Sequence, residues 1–397
     1  MEKHIEFTKK VIEKNIFYKK YFSKCENEIF NDTFSFLPTL DKKTVQANYK
    51  ELVCLDIKKD YEIIETSGTT GIPMRIFWYK NEFIKSNLYT WYLRQKWYGI
   101  LPNMKFCTFH SCATNLGNSE LVDAIITNDE RTLSLGRYVY NEYVLSSYIK
   151  LIGAFQAKWI LGPSSVLQIL SRYMLDNHIE LTNIVYIELN GEFVDSEALT
   201  TIKLAFPNAI ISNLYGSTEF NGIAFTCPYG NMHVLEKNVY LETIYEHGLP
   251  NIYITGLVNS AMPLIRYNIG DIGTTEESNC ACGNKSLILN LKGARLHELM
   301  LLENICIDPA IFNNIIYDLN NENFLIFKFQ IRIKNNSDIE LVLLIKETDN
   351  STLERQKIKI INKLKKFNKN LNCSIRFIFD EKEILNCKNK FTYVYYD

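Results

Sequence analysis

The chain has no excess of either charge: 44 basic residues stand against 45 acidic ones over 397 positions. Such a balance argues against a nucleic-acid-binding or membrane-surface protein, because both need a basic field to hold phosphates. No uninterrupted apolar run approaches the ~20 residues that a membrane-spanning helix requires. The opening stretch MEKHIEFTKKVIEKNIF is charged throughout, so it lacks the apolar segment of a signal peptide or an anchor. Internal repeats and low-complexity segments are also missing. What is present is 47% apolar and 22% charged residues, the composition of a globular protein with a large core and room for two or three domains. A cytoplasmic location is expected, with neither nucleic acid nor membrane as a partner.

Ten cysteines in a chain of this length, without a secretion signal, read as reduced thiols or metal ligands and not as a disulfide framework. Cys54 and Cys107 lie among apolar neighbours and read as small buried hydrophobes. Cys227 and His233 in CPYGNMHV, with Cys280 and Cys282 in NCACGN, stand apart. Three thiolates and an imidazole make a tetrahedral zinc set, and four protein ligands leave no open position, so the role would be structural. Exposed thiols beside an unrelated histidine, or a redox dithiol, are the other readings.

The first 50 or so residues read as helices with polar breaks. From Tyr61 the short apolar runs KFCTFH, AKWILG, NIVYIEL and AIISNLYG have strand character. They alternate with the helical stretches VDAIITN, VLSSYIKLIGAF, SVLQILSRYMLDN and SEALTTIKLAF. Alternation with continuously apolar strands predicts an α/β layer fold around a mainly parallel sheet. Between Val239 and Thr275 the strands crowd together, as in a small β subdomain. After Gly293 the texture becomes α+β. FLIFKFQIRI and DIELVLLIK read as strands, and TLERQKIKIINKLKKFNK reads as a helix with Leu353, Ile358, Ile361 and Leu364 on its apolar face. The expected division is an N-terminal domain over 1–293 and a C-terminal domain over 294–397.

The segment IIETSGTTGIPMRIFW packs flexible and hydroxylated residues between two strand-like runs. Gly68 and Gly71 let backbone N–H groups turn toward an anion. Thr66, Ser67, Thr69 and Thr70 add neutral donors, and Pro73 stiffens the exit. By itself such a loop is as readily a surface turn. Downstream, however, stand LYGSTEF at 214–220 and MPLIRYNIGDIG at 262–273.

These three motifs, in this order, resemble the adenylate-forming (acyl-CoA ligase, luciferase and peptide-synthetase adenylation) superfamily. ILGPSSVL, NGEFVDSEAL and CACGN narrow the resemblance to its phenylacetate–CoA ligase-like branch and the related acyl-protein synthetases. The resemblance implies a large N-terminal adenylation domain with a small β subdomain and a small mobile α+β C-terminal domain. It implies ATP and Mg²⁺, with Ser67, Gly68, Thr69, Thr70 and Gly71 as the phosphate loop. Tyr215, Gly216 and Ser217 would line the adenine and acyl pocket, Thr218 would contact the α-phosphate, Glu219 would hold Mg²⁺ and Asp271 would take the ribose hydroxyls. Gly191 and Glu192 join the cofactor-binding candidates, with the 192–195 region bordering the acid. Zinc ligands like those of the Cys/His set also occur in that branch.

In this superfamily the small domain pivots after a Gly-Arg pair, which KGARLHELMLLENICIDP matches through Arg295, with His297 at the pivot and Asn304 at a usual glycine. Lys390 falls where a C-terminal adenylation lysine is usual, with Lys388 as a rival. Two departures stand out. Ile72 replaces a loop lysine, leaving Arg75 as a candidate for that charge, and Asn268-Ile269 replaces Arg-Thr, with Arg266 nearby. His110, in a segment that should border the acid, reads as an aromatic wall, a carboxylate contact or a structural histidine.

The implied reaction is ATP-dependent activation of a small carboxylic acid, an aromatic one among the candidates, to acyl-AMP. The acyl group then passes to a thiol, that of CoA or of carrier-protein phosphopantetheine. An acyl carrier protein and a homodimer are the protein partners considered. An amine acceptor and a non-catalytic nucleotide-binding relative are the alternatives.

Overall fold

A computed structural model describes residues 3–23, 34–56, 58–65, 74–110, 124–127, 129–136, 139–140, 142–192, 194, 196–246, 249–292, 300–302, 305–307, 312, 315–316, 319, 326–334, 338–345, 347–367, 371–380, 383, 386–387, 390–391 and 394–396. The helical start is present as Lys3–Lys14, Ile16–Tyr21, Lys42–Ala47 and Tyr49–Leu52. None of the helices among the described residues is long and apolar enough to cross a membrane.

Twelve strands form one sheet. In spatial order they are Val239–Glu246, Leu249–Gly256, Tyr267–Glu276, Ile288–Leu291, Met232–Val234, Asn221–Thr226, Ile210–Ser217, Tyr186–Asn190, Trp159–Gly162, Phe106–His110, Thr132–Gly136 and Ala124–Ile126. From Ile210–Ser217 to Thr132–Gly136 the neighbours run parallel. All but Thr132–Gly136 are the runs read as continuously apolar, and Tyr186–Leu189 is buried throughout because helices cover the sheet. Helix Glu142–Phe155 buries Val144, Leu145, Tyr148, Ile149 and Ile152, and helix Ser164–Asp176 buries Val166, Leu167, Leu170 and Met174. Both sets follow the three-and-four spacing of one helix face. The expected β subdomain is an antiparallel meander of Val239–Glu246, Leu249–Gly256 and Tyr267–Glu276, and it continues the same hydrogen-bonded sheet.

One expected helix is a strand. VDAIITN contributes Ala124–Ile126, paired antiparallel with Thr132–Gly136. The cause is the turn that follows it. The Glu130 N–H donates to the Thr127 carbonyl, and Asp129 Oδ1 accepts from Thr127 Oγ1 and the Arg131 N–H, which reverses the chain at once. β-branched Ile125 and Ile126 then suit an edge strand. Conversely, helix Lys80–Tyr98 has no apolar stripe: its buried positions are Ser86, Thr90, Leu93 and Arg94.

Toward the C-terminus, a four-stranded sheet runs in the order Asn372–Ile378, Asp338–Ile345, Ile326–Ile333, Val394–Tyr396. Helix Asn350–Phe367 crosses between the parallel pair Asp338–Ile345 and Asn372–Ile378. Its buried face is Gln356, Ile360 and Leu364, with Leu353 and Ile361 packed alongside, whereas Ile358 is 58% exposed. The apolar spacing was therefore misjudged at one position, because Gln356 occupies a place in the buried row. This unit has a hydrophobic cluster of its own, built from Phe312, Ile331, Leu341, Leu343, Ile360 and their neighbours. The expected boundary at 293–294 lies outside the described residues.

Helix Lys80–Tyr98 is fastened to the parallel sheet by a buried ion pair. Arg94 Nε and Nη2 donate to the two carboxylate oxygens of Glu188 at 2.7 and 2.6 Å, and the Tyr186 hydroxyl donates to Glu188 at 2.9 Å. The guanidinium also lies 4.5 Å from the centre of the Trp91 ring. The Glu188 side chain is 0% exposed, so its charge depends on that partner. Arg94→Met is expected to cost about 3–5 kcal/mol by stranding a buried carboxylate. Urea denaturation at neutral pH would measure it, and a loss below about 1 kcal/mol would mean the pair is no fastener.

Candidate active site

A cleft of ≈ 960 Å³ opens along strands Ile210–Ser217 and Asn221–Thr226. Tyr215, Gly216, Ser217, Thr218 and Glu219 line it, with Asp271 from strand Tyr267–Glu276 and Gly191 and Glu192 from the end of strand Tyr186–Asn190. Residues singled out in three separate stretches of sequence therefore share one cavity.

The local cause begins with the hairpin. Gly216 pairs with Gly222, and Ser217 with Asn221, so only Thr218, Glu219 and Phe220 make the turn. A Cβ on Gly216 would stand 2.5 Å from the Asn221 carbonyl oxygen, so no other residue fits without moving backbone. Asn221 itself is left-handed at φ 56°, a conformation asparagine tolerates. Its side-chain amide donates to Ser86 Oγ at 2.6 Å and ties the turn to the long helix. Phe220 is buried against Gly256 and Tyr267. Trp78 Nε1 donates to the Thr218 carbonyl at 3.2 Å from below. Thr218 and Glu219 are thus held on a turn anchored at both ends.

The Tyr215 hydroxyl donates to Asp271 Oδ2 at 2.7 Å. This bond links the hairpin to the meander strand and sets the carboxylate's orientation. Gly191 is left-handed at φ 78° with open space where a Cβ would be, so glycine serves the backbone there and not a close approach. Glu192 has a local partner: its Oε2 accepts from the Ser165 N–H at 3.0 Å and the Ser164 hydroxyl at 3.4 Å, at the start of helix Ser164–Asp176. A carboxylate there is favoured by the helix dipole.

Strands Tyr61–Glu65 and Arg75–Tyr79 pair antiparallel with Glu65 opposite Arg75, so the residues flanking the 66–73 segment meet. Ser67, Gly68, Thr69, Thr70 and Gly71 themselves lie outside the described residues, as do Arg295, His297, Asn304 and Lys388. Lys390 belongs to the short strand Lys390–Phe391. Arg75 Nε donates to Glu65 at 3.0 Å, and Arg75 does not line the cleft. Arg266 is buried and structural. It pairs with Glu242 at 3.0 Å and donates to the carbonyls of Ser35 and Leu37.

No family model matches the chain. Among curated proteins, Protein CapK of Staphylococcus aureus is 25% identical over 287 residues, which is 68% of this chain and 59% of that protein. Bacitracin synthase 3 of Bacillus licheniformis is 26% identical over 157 residues, 40% of this chain and 2% of that protein. The matches therefore span less than two thirds of either relative. Among solved structures, 2-hydroxyisobutyryl-CoA ligase in complex with 2-HIB-AMP and CoA in the thioesterification state aligns with a TM-score of 0.63 at 14% identity. That alignment covers 100% of this chain and 88% of the ligase. An open conformation of the same ligase gives 0.59 at 13% identity over 100% and 90%. This chain has the fold of that ligase.

Cys227, His233, Cys280 and Cys282 gather so that one ligand atom from each lies within 4.8 Å of the others. Cys227 Sγ is 3.6 Å from Cys280 Sγ, and Cys282 Sγ is 3.2 Å from His233 Nε2. His233 Nδ1 lies 3.2 Å from the Ser286 carbonyl, which can only accept, so Nδ1 carries the proton and Nε2 is left for a metal. Amide groups point at the sulfurs: Asn231 Nδ2 at 3.2 Å and the Cys282 N–H at 3.5 Å from Cys280 Sγ, and the Asn284 N–H at 3.4 Å from Cys282 Sγ. Against the desolvation of burial, the Asn231 amide and the Cys282 N–H hold Cys280 down to about 6, whereas burial pushes Cys227 up to about 12. The donor set fits a four-coordinate soft-ligand cation. The cluster joins the 227–231 turn to the 277–284 loop, at the end of strand Asn221–Thr226 remote from Thr218 and Glu219.

The motif reading missed Lys42, Asn87 and Lys203, which also line the cleft. Asp41 accepts from the Thr44 N–H at 2.7 Å, so a helix start was legible in LDKKT, but nothing local marks Lys42 as a cleft residue. Gly216→Ala is expected to destabilise by about 1–3 kcal/mol through overpacking against the Asn221 carbonyl. Thermal or urea unfolding would read it, and a neutral result would mean that the turn is not as tight as its geometry.

Proposed function

We propose that the chain is an ATP- and Mg²⁺-dependent ligase that converts a small carboxylic acid to an acyl-adenylate and passes the acyl group to a thiol. The observation that carries this reading is the convergence of the Thr218–Glu219 turn, the Tyr215–Asp271 pair and the Gly191–Glu192 corner on one cleft. It is supported by complete coverage of the chain by a fold whose solved neighbour holds 2-HIB-AMP and CoA. In this reading Asp271 accepts from the two ribose hydroxyls, for which a carboxylate is a matched acceptor pair. Tyr215, Gly216 and Ser217 border the adenine and the acyl group. The Thr218 hydroxyl donates to the α-phosphate, and Glu219 offers the hard oxygen that Mg²⁺ prefers. Ser67 to Gly71 cradle the β- and γ-phosphates. The acid's carboxylate oxygen attacks the α-phosphorus and pyrophosphate leaves. A thiolate then attacks the acyl carbonyl and AMP leaves. Arg295 and Lys390 would enter from the C-terminal unit, a separate domain in this reading.

CoA is the first-choice acceptor and carrier-protein phosphopantetheine the second. The same acyl-adenylate would yield an amide if the acceptor were an amine. The Cys227, His233, Cys280 and Cys282 set would hold zinc, which supplies a covalent clasp between two loops of the sheet and no chemistry at the cleft.

Acid-dependent exchange of labelled pyrophosphate into ATP, run over a carboxylate panel, tests the first half-reaction. Glu219→Gln and Asp271→Ala should each lower exchange by about a hundredfold or more. Exchange untouched by both would remove their assigned roles, and ATP binding without exchange under any acid would leave a non-catalytic nucleotide-binding protein. Adding CoA, carrier protein or hydroxylamine to the adenylate separates the acceptors.

The metal reading has its own check. Elemental analysis of the purified protein should find about one zinc per chain. Cys282→Ser should remove most of it, and a chelator should lower the unfolding temperature. A protein isolated without metal, and unmoved by added zinc, would leave the cluster as thiols.

A further inference from the structure

We propose that a cation held by Cys227, His233, Cys280 and Cys282 sets the position of one wall of the cleft, so that metal binding and ligand binding in the cleft are coupled, with Asn231 as the positioning residue between them. The inference rests on the zinc and adenylation readings and goes beyond both, since a clasp that only joins two loops need not affect a ligand in the cleft.

The donor set and the cleft share residues. Thr226, Cys227, Asn231 and Met232 line the cleft from the hairpin that joins strands Asn221–Thr226 and Met232–Val234. Cys227 is one of the four ligands, and His233 directly follows Met232. Cys280 and Cys282 come from the loop that leads into strand Ile288–Leu291, and all four residues of that strand line the cleft as well. His233 pairs with Ile288, so the two cleft-lining elements are also neighbours in the sheet. Ala224 pairs with Tyr215, which puts Cys227, three residues further on, about 10 Å along the sheet from the level of Tyr215 and its partner Asp271. A ligand of nucleoside size spans that distance.

The hairpin loop has little else to fix its place. The Cys227 N–H donates to the Asn231 carbonyl at 2.8 Å and the Gly230 N–H to the Cys227 carbonyl at 2.9 Å, with Gly230 left-handed at φ 85°. These bonds shape the loop internally. Among the described residues, its hydrogen bonds to the 277–284 loop run through sulfur: Cys227 Sγ lies 3.6 Å from Cys280 Sγ, and Asn231 Nδ2 donates to Cys280 Sγ at 3.2 Å. Thiols are weak donors and weak acceptors, whereas a cation shared by thiolates from both loops ties them firmly.

Asn231 belongs to both sides. Its amide nitrogen is turned to the sulfur, and its amide oxygen has no hydrogen-bond partner among the described residues, on a half-buried residue that lines the cleft. A shift of Cys280 on loss of the cation therefore moves a side chain that borders the ligand's space. A ligand that packs on the ordered loop in turn favours the arrangement that holds the cation, because coupling between two sites is reciprocal.

Calorimetric titration with AMP, on the full chain loaded with zinc and on the same protein stripped by a chelator, tests the coupling. AMP is the probe because the triphosphate of ATP itself chelates zinc. The stripped protein should keep its circular dichroism and bind AMP about tenfold more weakly, and saturating AMP should raise the zinc affinity, read by competition with a chromophoric chelator, by the same factor. Asn231→Ala keeps all four ligands. It should still carry about one zinc per chain and lose most of the difference between the loaded and stripped forms. Equal AMP affinities in two folded forms would overturn the coupling, as would a zinc affinity that ignores AMP, and a difference that survives Asn231→Ala intact would remove Asn231 from the role. Where stripping unfolds the chain, loaded Asn231→Ala decides: AMP binding weakened by about fivefold or more supports the proposal, and unchanged binding overturns it. Loaded wild-type protein that binds no AMP would instead overturn the adenylation reading, and a chain that takes up no zinc would overturn the metal reading.

Discussion

The contact between Gly216 and the Asn221 carbonyl is the constraint on which the cleft is built. Because a glycine stands there, two strands close over a three-residue turn, and the turn holds Thr218 and Glu219 in fixed relation to Tyr215. Tyr215 in turn fixes Asp271 through one hydrogen bond, so two carboxylates from distant parts of the chain take their places from a single hairpin. The anchors beneath it come from elsewhere: Trp78 from strand Arg75–Tyr79, Ser86 from the long helix and Phe220 against the meander. Preorganisation of this kind is what a site needs if its charges are to act on a transition state without first rearranging.

Electrostatics divides the molecule into parts that hold and parts that bind. The pairs Arg94–Glu188 and Arg266–Glu242 are buried, multiply bonded and turned away from the cleft. They hold helices and loops to the sheet. Arg266 stands close to the aspartate motif in sequence, and its left-handed backbone at φ 50° directs it into the interior toward Ser35 and Leu37. The Cys/His cluster has a different place, with Cys227 at the border of the cleft. It joins two loops at the far end of the strands that carry Glu219, with amide donors aimed at its sulfurs. The described lining of the cleft is left with three carboxylates, those of Glu192, Glu219 and Asp271, and two lysines, Lys42 and Lys203.

Much of the fold was legible in the residues. The parallel strands were readable because burial on both faces demands unbroken apolar runs, and helices such as Glu142–Phe155 because one buried face imposes its spacing. Helix Lys80–Tyr98 was not, since the face it buries carries serine, threonine and arginine whose partners lie on other elements. VDAIITN was misread because turn hydrogen bonds after Thr127 outweigh a weak local preference. Ile358 was placed on the wrong face because Gln356 fills a buried place in the row.

Sequence alone determined the kinds of chemistry available: a glycine-and-hydroxyl loop, a Tyr-Gly-Ser-Thr-Glu run, an aspartate motif and four soft ligands. Those are local properties, since backbone freedom and side-chain donors belong to the residue that carries them. Tertiary structure alone decided which of them meet. It put Asp271 against Tyr215, gathered four metal-type ligands within 4.8 Å, and sent Glu192 to a helix start and Arg266 into the core. It also brought Lys42 to the cleft from a stretch with no motif of its own. Proximity across a sheet depends on strand order and register, and these are set by packing the whole chain at once and not by any short stretch of it.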